Sequence, residues 1–457
     1  MGRPWRAPLP AGRMTGSVFV MLLLLALPSI GQAQTPRLQG QGAAASAMGN
    51  AFTAQADDAS ALHYNPAGMT QLRGVQNLFG TLLVGGTTNF TSPSGVNVTG
   101  DRGSSIAWPP PGHVYLTANL KDVGVKALED FSVGVGLNSP FGSLTRWPID
   151  GPFRTAVTFS TLPLLDVKPT IAYRLNDQLS FGVGADIYTF SGLFGEGHVE
   201  LKTANTAQTV QTEINGKDTT AGFNLSLLYT PLRNADGKPI ANIGLVYRSQ
   251  ATLHLRGDLL ANGAKVADTR ATLVLPQVFS AGIAIWPVRR ADREWKLELD
   301  VDLVGWKSNR NIDAHLSNGG LIPIPQNWRN AYTFMIGTEY KWLQIDRIPE
   351  WEVALRAGYM NQQTQVPDIT FNPGTPSSDT HIPSVGVGFL CKENGHFLGI
   401  RCGNLGLGVK PKAFGIDIAY QAVLYEVRTI TGNLNSTVNG RYDTLIHVAS
   451  LSVQFIY

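Results

Sequence analysis

The sequence predicts an all-β fold: a fourteen-stranded antiparallel transmembrane β-barrel with an N-terminal hatch, or plug, containing short helices. Three observations lead there. The chain opens like an exported protein and then carries no apolar stretch long enough to cross a membrane as a helix. Long runs alternate apolar and polar residues. The connections between those runs alternate between short and long.

The 457 residues would fill two or three ordinary domains or one large barrel. Charged residues make up 15% of the chain, well below the roughly 25% usual for soluble domains. The 49 glycines suit strands that curve and pack closely. Residues 1–33 read as a cleaved secretory signal. Arg3, Arg6 and Arg13 precede an apolar core at 18–27, and Gly31 and Ala33 suit cleavage before Gln34. A start at Met14 would shorten the leader. The apolar core is short for a spanning helix of roughly 20 residues, which argues against an uncleaved anchor. Removing residues 1–33 takes away three Arg and no acid, leaving 33 basic and 33 acidic residues. A neutral mature chain lacks the basic face that nucleic acid demands.

The last segment, 442–457, carries the clearest strand pattern. Leu445, Ala449, Leu451, Val453, Phe455 and Tyr457 fall on one face, interrupted by His447, with Thr444, Ser450, Ser452 and Gln454 on the other. Period two over this length fits lipid outside and a polar lumen inside. Phe414, Ile416, Ile418, Tyr420, Ala422 and Leu424 repeat the device opposite Asp417 and Gln421. In 295–303, Trp295, Leu297, Leu299, Val301 and Leu303 alternate with Lys296, Glu298, Asp300 and Asp302. A soluble sandwich would put that charged row in water, but many long strands of this kind favour a lumen.

The spans read as 75–93, 112–121, 129–147, 161–175, 178–201, 219–232, 238–260, 272–288, 294–316, 327–342, 350–364, 380–391, 413–430 and 442–457. The number is even, as bacterial single-chain barrels require. With the C-terminus in the periplasm, the short connections 176–177, 233–237 and 289–293 are periplasmic. The longer ones, such as 94–111, 202–218 and 365–379, then fall outside. The exception is the long periplasmic loop 392–412. It holds Cys402, with Cys391 at its edge, and in an oxidising compartment the pair is expected to form a disulfide. Free thiols or a metal pair are the alternatives, and two sulfurs alone make a poor metal site.

Residues 34–74 do not read as a strand. The run 40–61 is rich in Gly, Ala and Ser and too small and polar to fold alone. It leads into His63-Tyr64-Asn65-Pro66-Ala67-Gly68-Met69. Pro66 drives Asn65 out of helical geometry and Gly68 permits a tight turn, so a rigid elbow is expected. A compact segment ahead of a wide barrel fits inside it as a plug. The domains expected are thus signal 1–33, plug 34–74 and barrel 75–457.

The stretch GQGAAASAMGNAFTAQADDASALHYNPAGM at 40–69 resembles the N-terminal hatch of the outer-membrane transporters of long-chain fatty acids and other hydrophobic compounds, the OMPP1/FadL/TodX family. NSPFGSLTRWP at 138–148, KPTIAYRLNDQLSFGVGADIY at 168–188 and LPQVFSAGIAIWP at 275–287 agree with it. So do NWRNAYTFMIGTEYKW at 327–342 and LRAGYMNQQTQVPD at 355–368. The resemblance runs in order through nearly the whole mature chain. It implies a monomeric plugged barrel of the cell outer membrane that captures ligand at an external groove and passes it to an interior site. Release follows hatch movement, by a lateral opening in the wall. The hatch residues are then Asn65, Pro66, Ala67 and Gly68.

Ile106, Trp108 and Pro109 to Pro111, and later Leu321, Ile322 and Ile324 with Pro323 and Pro325, put apolar, proline-stiffened surface in outer loops. That surface suits greasy docking or loop-on-loop packing, and Trp108, Leu321 and Ile322 are candidate ligand contacts. Asn138-Ser139-Pro140-Phe141-Gly142 sits in the third span. Proline removes a ladder donor, so a local break in the wall is expected there. In the resembling family a kink in this strand forms the lateral exit, which gives that role to Asn138, Pro140, Phe141 and Gly142. The other reading ends the strand at Leu137. A fatty-acid carboxylate calls for a cation. Arg154 and Arg356 are candidates, each alternatively part of a lumen network with Glu352, Asp300 and Asp302. No cofactor or metal is expected. Rival readings are uptake of uncharged aromatic hydrocarbons, a general diffusion porin, a soluble periplasmic β-protein, and an enzyme. The last lacks a Gly-x-Ser-x-Gly elbow.

Overall fold

A computed structural model describes residues 37–193, 195–406 and 410–457; the expected signal at 1–33 lies outside them. Alternating residues give fourteen wall strands: β1 Val75–Thr91, β2 Gly112–Asn119, β3 Phe131–Asn138, β4 Leu165–Arg174, β5 Leu179–Thr189, β6 Thr220–Arg233 and β7 Pro239–Arg248. They continue as β8 Val278–Arg289, β9 Arg293–Val304, β10 Ala331–Trp342, β11 Trp351–Gln362, β12 Thr380–Lys392, β13 Ala413–Tyr425 and β14 Gly440–Ile456. Each pairs antiparallel with the next, and β1 closes on β14 from Gln76↔Ile456 to Thr91↔Arg441. Closure leaves the ring without an edge, the condition for a sheet in lipid.

The two faces differ as the alternation requires. On β9, Lys296, Glu298, Asp300 and Asp302 are buried, while Leu299 is 58% exposed on the opposite face. Exposed Ile283 on β8 and Val385 on β12 continue that outer apolar band.

Several predicted spans ran too long. The third, fourth, fifth, seventh, eighth and ninth each divide into a wall strand and a segment outside the wall. Those segments include Gly142–Arg146, Phe159–Pro163, Val199–Ala204, Ala251–Ala261, Ala264–Leu275 and Ala314–Leu316. With Gln211–Gly216 and Leu321–Ile322 they form a second, eight-stranded sheet at the long-loop end. Period-two alternation marks any half-buried strand and cannot say which sheet it joins. The chain leaves the wall where Ser139-Pro140-Phe141, Ser249-Gln250 or Pro276-Gln277 interrupts it.

Residues 37–74 lie inside the ring, as helix α1 Ala43–Ala47, helix α2 Ala61–Tyr64 and a 3₁₀ turn Pro66–Gln71. Wall glycines let this plug come close. A Cβ at Gly244 on β7 would sit 2.1 Å from the Thr53 carbonyl oxygen, and one at Gly358 on β11 2.1 Å from the Met48 carbonyl carbon. At the opposite rim Cys391 and Cys402 are joined, with sulfurs 1.99 Å apart. They staple a small hairpin, His396–Phe397 with Ile400–Arg401, whose Phe397 ring lies 5.8 Å from that of Phe414.

Candidate functional site

The plug is held by charges on β9. Asp300 Oδ2 accepts the Phe52 and Thr53 amides, both at 2.8 Å. Glu298 Oε1 accepts those of Ala54 at 2.7 Å and Gln55 at 3.1 Å. Asp302 pairs with Arg37 at 2.7 Å. The alternating acids thus act as caps for a plug backbone that has little secondary structure of its own.

The elbow expected at 63–69 is a bend between helix Ala61–Tyr64 and the 3₁₀ turn Pro66–Gln71, with Gly68 inside that turn. Asn65 is extended ahead of Pro66. Its side-chain amide donates to Thr53 O at 2.8 Å and to the wall carbonyl of Leu227 at 3.1 Å. Ala67 N–H donates to Ser226 Oγ at 2.9 Å. Gly68 fits because a Cβ there would meet Ala56 Cβ at 2.4 Å.

The third wall strand stops beside the plug's first residues, within one residue of the end at Leu137 that the other reading gave it. The last rung of β3 against β4 is Asn138↔Asp166. Pro140 and Gly142 therefore lie past the end of the wall strand, on the way to the second sheet, and not in a bulge within it. The strand ends because Pro140 has no N–H to give the ladder. Residues 37–41 occupy the gap. Leu38 N–H donates to Pro140 O at 2.9 Å, and Gln41 Nε2 donates to Ser139 O at 3.0 Å. Asn138 Nδ2 lies 3.0 Å from both Gln41 Oε1 and His63 Nδ1. Phe141 is buried against Tyr188 and Trp306, with ring centroids at 6.0 and 6.1 Å.

Two apolar cavities flank this break. An outer one of about 160 Å³ lies within the second sheet, against Leu201, Ile214, Leu255, Leu273, Ile312 and Trp328. The other, about 170 Å³, lies at the break, against Leu38, Trp108, Phe141, Phe159, Leu164 and Leu165. Ser143, Thr161 and Leu162 line both, so one hairpin is the partition between them. The space above the plug is different: about 30 Å³, bordered by Arg37, Asn50, His63, Arg248 and Asp302. That is room for roughly one water, not an alkyl chain.

The candidates from the sequence separate here. Trp108, 79% exposed, lines the break cavity. Leu321 and Ile322 form a short edge strand and line neither cavity, while their neighbours Ile312 and Ile324 line the outer one. Arg154 folds back on its own turn, donating to Asp150 O at 2.9 Å. Arg356 is spent on ion pairs, and its partners are not those expected. It meets Glu339 directly across β10 and Asp417 on β13, each at 2.6 Å. Glu352 pairs instead with Lys392 at 3.3 Å, and Asp300 and Asp302 with the plug. A cation missing from the sequence reading lines the break cavity: Arg102, in the loop after β1. Burial pulls its pKa down, against Tyr425 and Asp101, which raise it.

A plugged barrel with greasy cavities at a broken wall defines a channel for hydrophobic compounds. The chain belongs to the family of outer membrane transport proteins OMPP1/FadL/TodX, whose family model matches residues 26–396. It is similar to the long-chain fatty acid transport protein of Escherichia coli K12, at 23% identity over 342 residues, 65% of this chain and 72% of that one. Among solved structures it resembles a Pseudomonas aeruginosa FadL homologue, with TM-score 0.67 and 16% identity over 93% of this chain and 99% of the other. It also resembles the toluene transporter TodX of P. putida, with TM-score 0.61 and 18% identity over 92% and 99%. At these identities the structures establish the fold. The family places the protein in the outer membrane.

Proposed function

We propose that this protein, acting as a monomer, carries long-chain fatty acids into the cell by a sideways route. Ligand enters the outer cavity, passes the hairpin bearing Ser143, Thr161 and Leu162, and reaches the cavity at the wall break. It leaves between Asn138 and Gly142 once residues 37–41 withdraw. The observation that carries this reading is the shared partition. Each cavity alone falls below the roughly 300–1,000 Å³ of ordinary ligand pockets, whereas the two joined reach that range. Withdrawal of the plug arm would break a few hydrogen bonds, each worth about 1 kcal/mol net where water replaces it, together with the Arg37–Asp302 ion pair. The filled lumen argues against a general diffusion porin.

Expression in a host lacking its own fatty-acid transporter should restore growth on a long-chain fatty acid. Substituting strand-forming residues for Pro140, Phe141 and Gly142 should abolish it while the barrel still folds. Growth that is absent with the native chain, or intact with the substituted one, would reject the scheme. Uptake of uncharged aromatic hydrocarbons is the second reading, favoured by Phe141, Phe159 and Trp108 around the inner cavity. Growth on toluene alone would select it.

A further inference from the structure

The cavity at the wall break is mostly apolar and holds one buried cation. Arg102 is 6% exposed and lines it beside Val84, Trp108, Phe141, Leu144 and Leu165. Its Nη2 donates to Thr88 Oγ1 at 3.0 Å. Its Nη1 reaches Thr145 Oγ1 only at 3.4 Å and Asp101 O at 3.5 Å. No carboxylate among the described residues lies within 4.0 Å of this guanidinium. The Asp101 side chain is turned to the Gly103 amide, 2.9 Å away. Glu196, the cavity's anion, is exposed.

The other buried Lys and Arg side chains among the described residues are handled differently. Lys168 pairs with Asp166 and Asp186, Arg248 with Asp186, and Lys296 with Glu339. A buried charge without a counterion is costly, and a guanidinium offers five donors in a fork that matches a carboxylate. Arg102 is also firmly placed. Asp101 and Arg146 exchange backbone hydrogen bonds at 2.9 and 3.0 Å, clamping the loop onto the partition hairpin.

We propose that Arg102 binds the carboxylate headgroup of the cargo, so that the ligand class taken at the wall break is a long-chain monocarboxylate and not an uncharged hydrocarbon. This rests on the transport reading above. The headgroup supplies the missing counterion, and the alkyl tail lies along the apolar walls toward Phe141 and Leu165.

The test is binding of hexadecanoate, hexadecanol and toluene to detergent-purified protein by calorimetry, comparing the native chain with Arg102→Gln and Arg102→Lys. The Gln variant should lose about ten- to a hundredfold in affinity for hexadecanoate, as expected when a charged hydrogen bond is removed. Hexadecanol binding should not change, and the Lys variant should fall between. Equal loss for acid and alcohol, or no loss for either, overturns the assignment. Heat-modifiable mobility in gels reports folding. If the Gln variant does not fold, the acid-over-alcohol preference of the native chain and its reduction in the Lys variant decide the matter. Native protein that binds hexadecanol and toluene without preferring hexadecanoate sinks the headgroup role and leaves transport standing. Native protein that binds none of the three sinks both.

Discussion

The plug and the roof above it are held by opposite chemistry. The plug mixes small side chains with a few buried large ones, Met48, Phe52, Leu62 and Met69, and Asp300, Glu298 and Asp302 hold it through its backbone and Arg37. The roof is a cluster of large apolar side chains, among them Phe90, Trp147, Phe153, Trp306, Trp328 and Tyr442. Polar contacts on the plug can be exchanged for water with little net change, so the plug can move without unfolding the wall. Contacts in the roof can be exchanged only for other apolar matter, which is what a hydrophobic ligand brings. The same molecule therefore has one region that yields to water and another that yields to grease.

The sharpest way to break this contrast is Trp306→Ala. Trp306 is fully buried between Phe141 and Trp328, and its loss should cost about 3–5 kcal/mol by cavity formation. Thermal unfolding should fall accordingly, and added long-chain ligand should recover part of the loss. No drop in stability would show the roof to be loosely packed. Next in size is Asp300→Ala, which strands the Phe52 and Thr53 amides at about 1–3 kcal/mol. Hydrogen exchange across 51–56 should quicken roughly ten- to a hundredfold, while heat-modifiable mobility stays native. Exchange that stays slow would mean the plug is not held by β9.

The smallest effect is a matter of pH in the outer loops. Burial, then Glu426, raises the Asp379 carboxyl from 3.8 to about 7, against Arg428, His381 and Arg329. A folded pKa above the unfolded one means that protonation favours the folded loop. Its stability is undiminished below about pH 4, declines as pH rises toward 7, and is level beyond. Exchange in 363–379, corrected for its intrinsic pH dependence, should quicken between about pH 4 and 7, and Asp379→Asn should flatten that trend. A trend that survives the substitution assigns it elsewhere.

Much of the wall was legible because lipid on one side and polar lumen on the other write period two directly into the chain. The elbow at Asn65 and Pro66 was legible because proline restricts its neighbour whatever surrounds it. The second sheet was not, since its strands carry the same alternation as the wall. Arg102 was not, because Asp101-Arg102-Gly103 looks like any polar loop, and only packing against Thr88 and Thr145 buries it. Arg356 is a candidate cation by its strand face, but Glu339 stands directly opposite, and cross-strand register is not written in either strand alone.

The ladder between β1 and β14 has a consequence for how the molecule is built. The plug runs straight into β1, and β1 is the strand that meets the last strand of the chain. β1 must therefore wait for β14 before the ring can be sealed, through pairings such as Gln76↔Ile456 that lie far apart in sequence. Until that seam zips, the nascent protein presents two open sheet edges and an unhoused polar segment, a form that calls for escort through the periplasm.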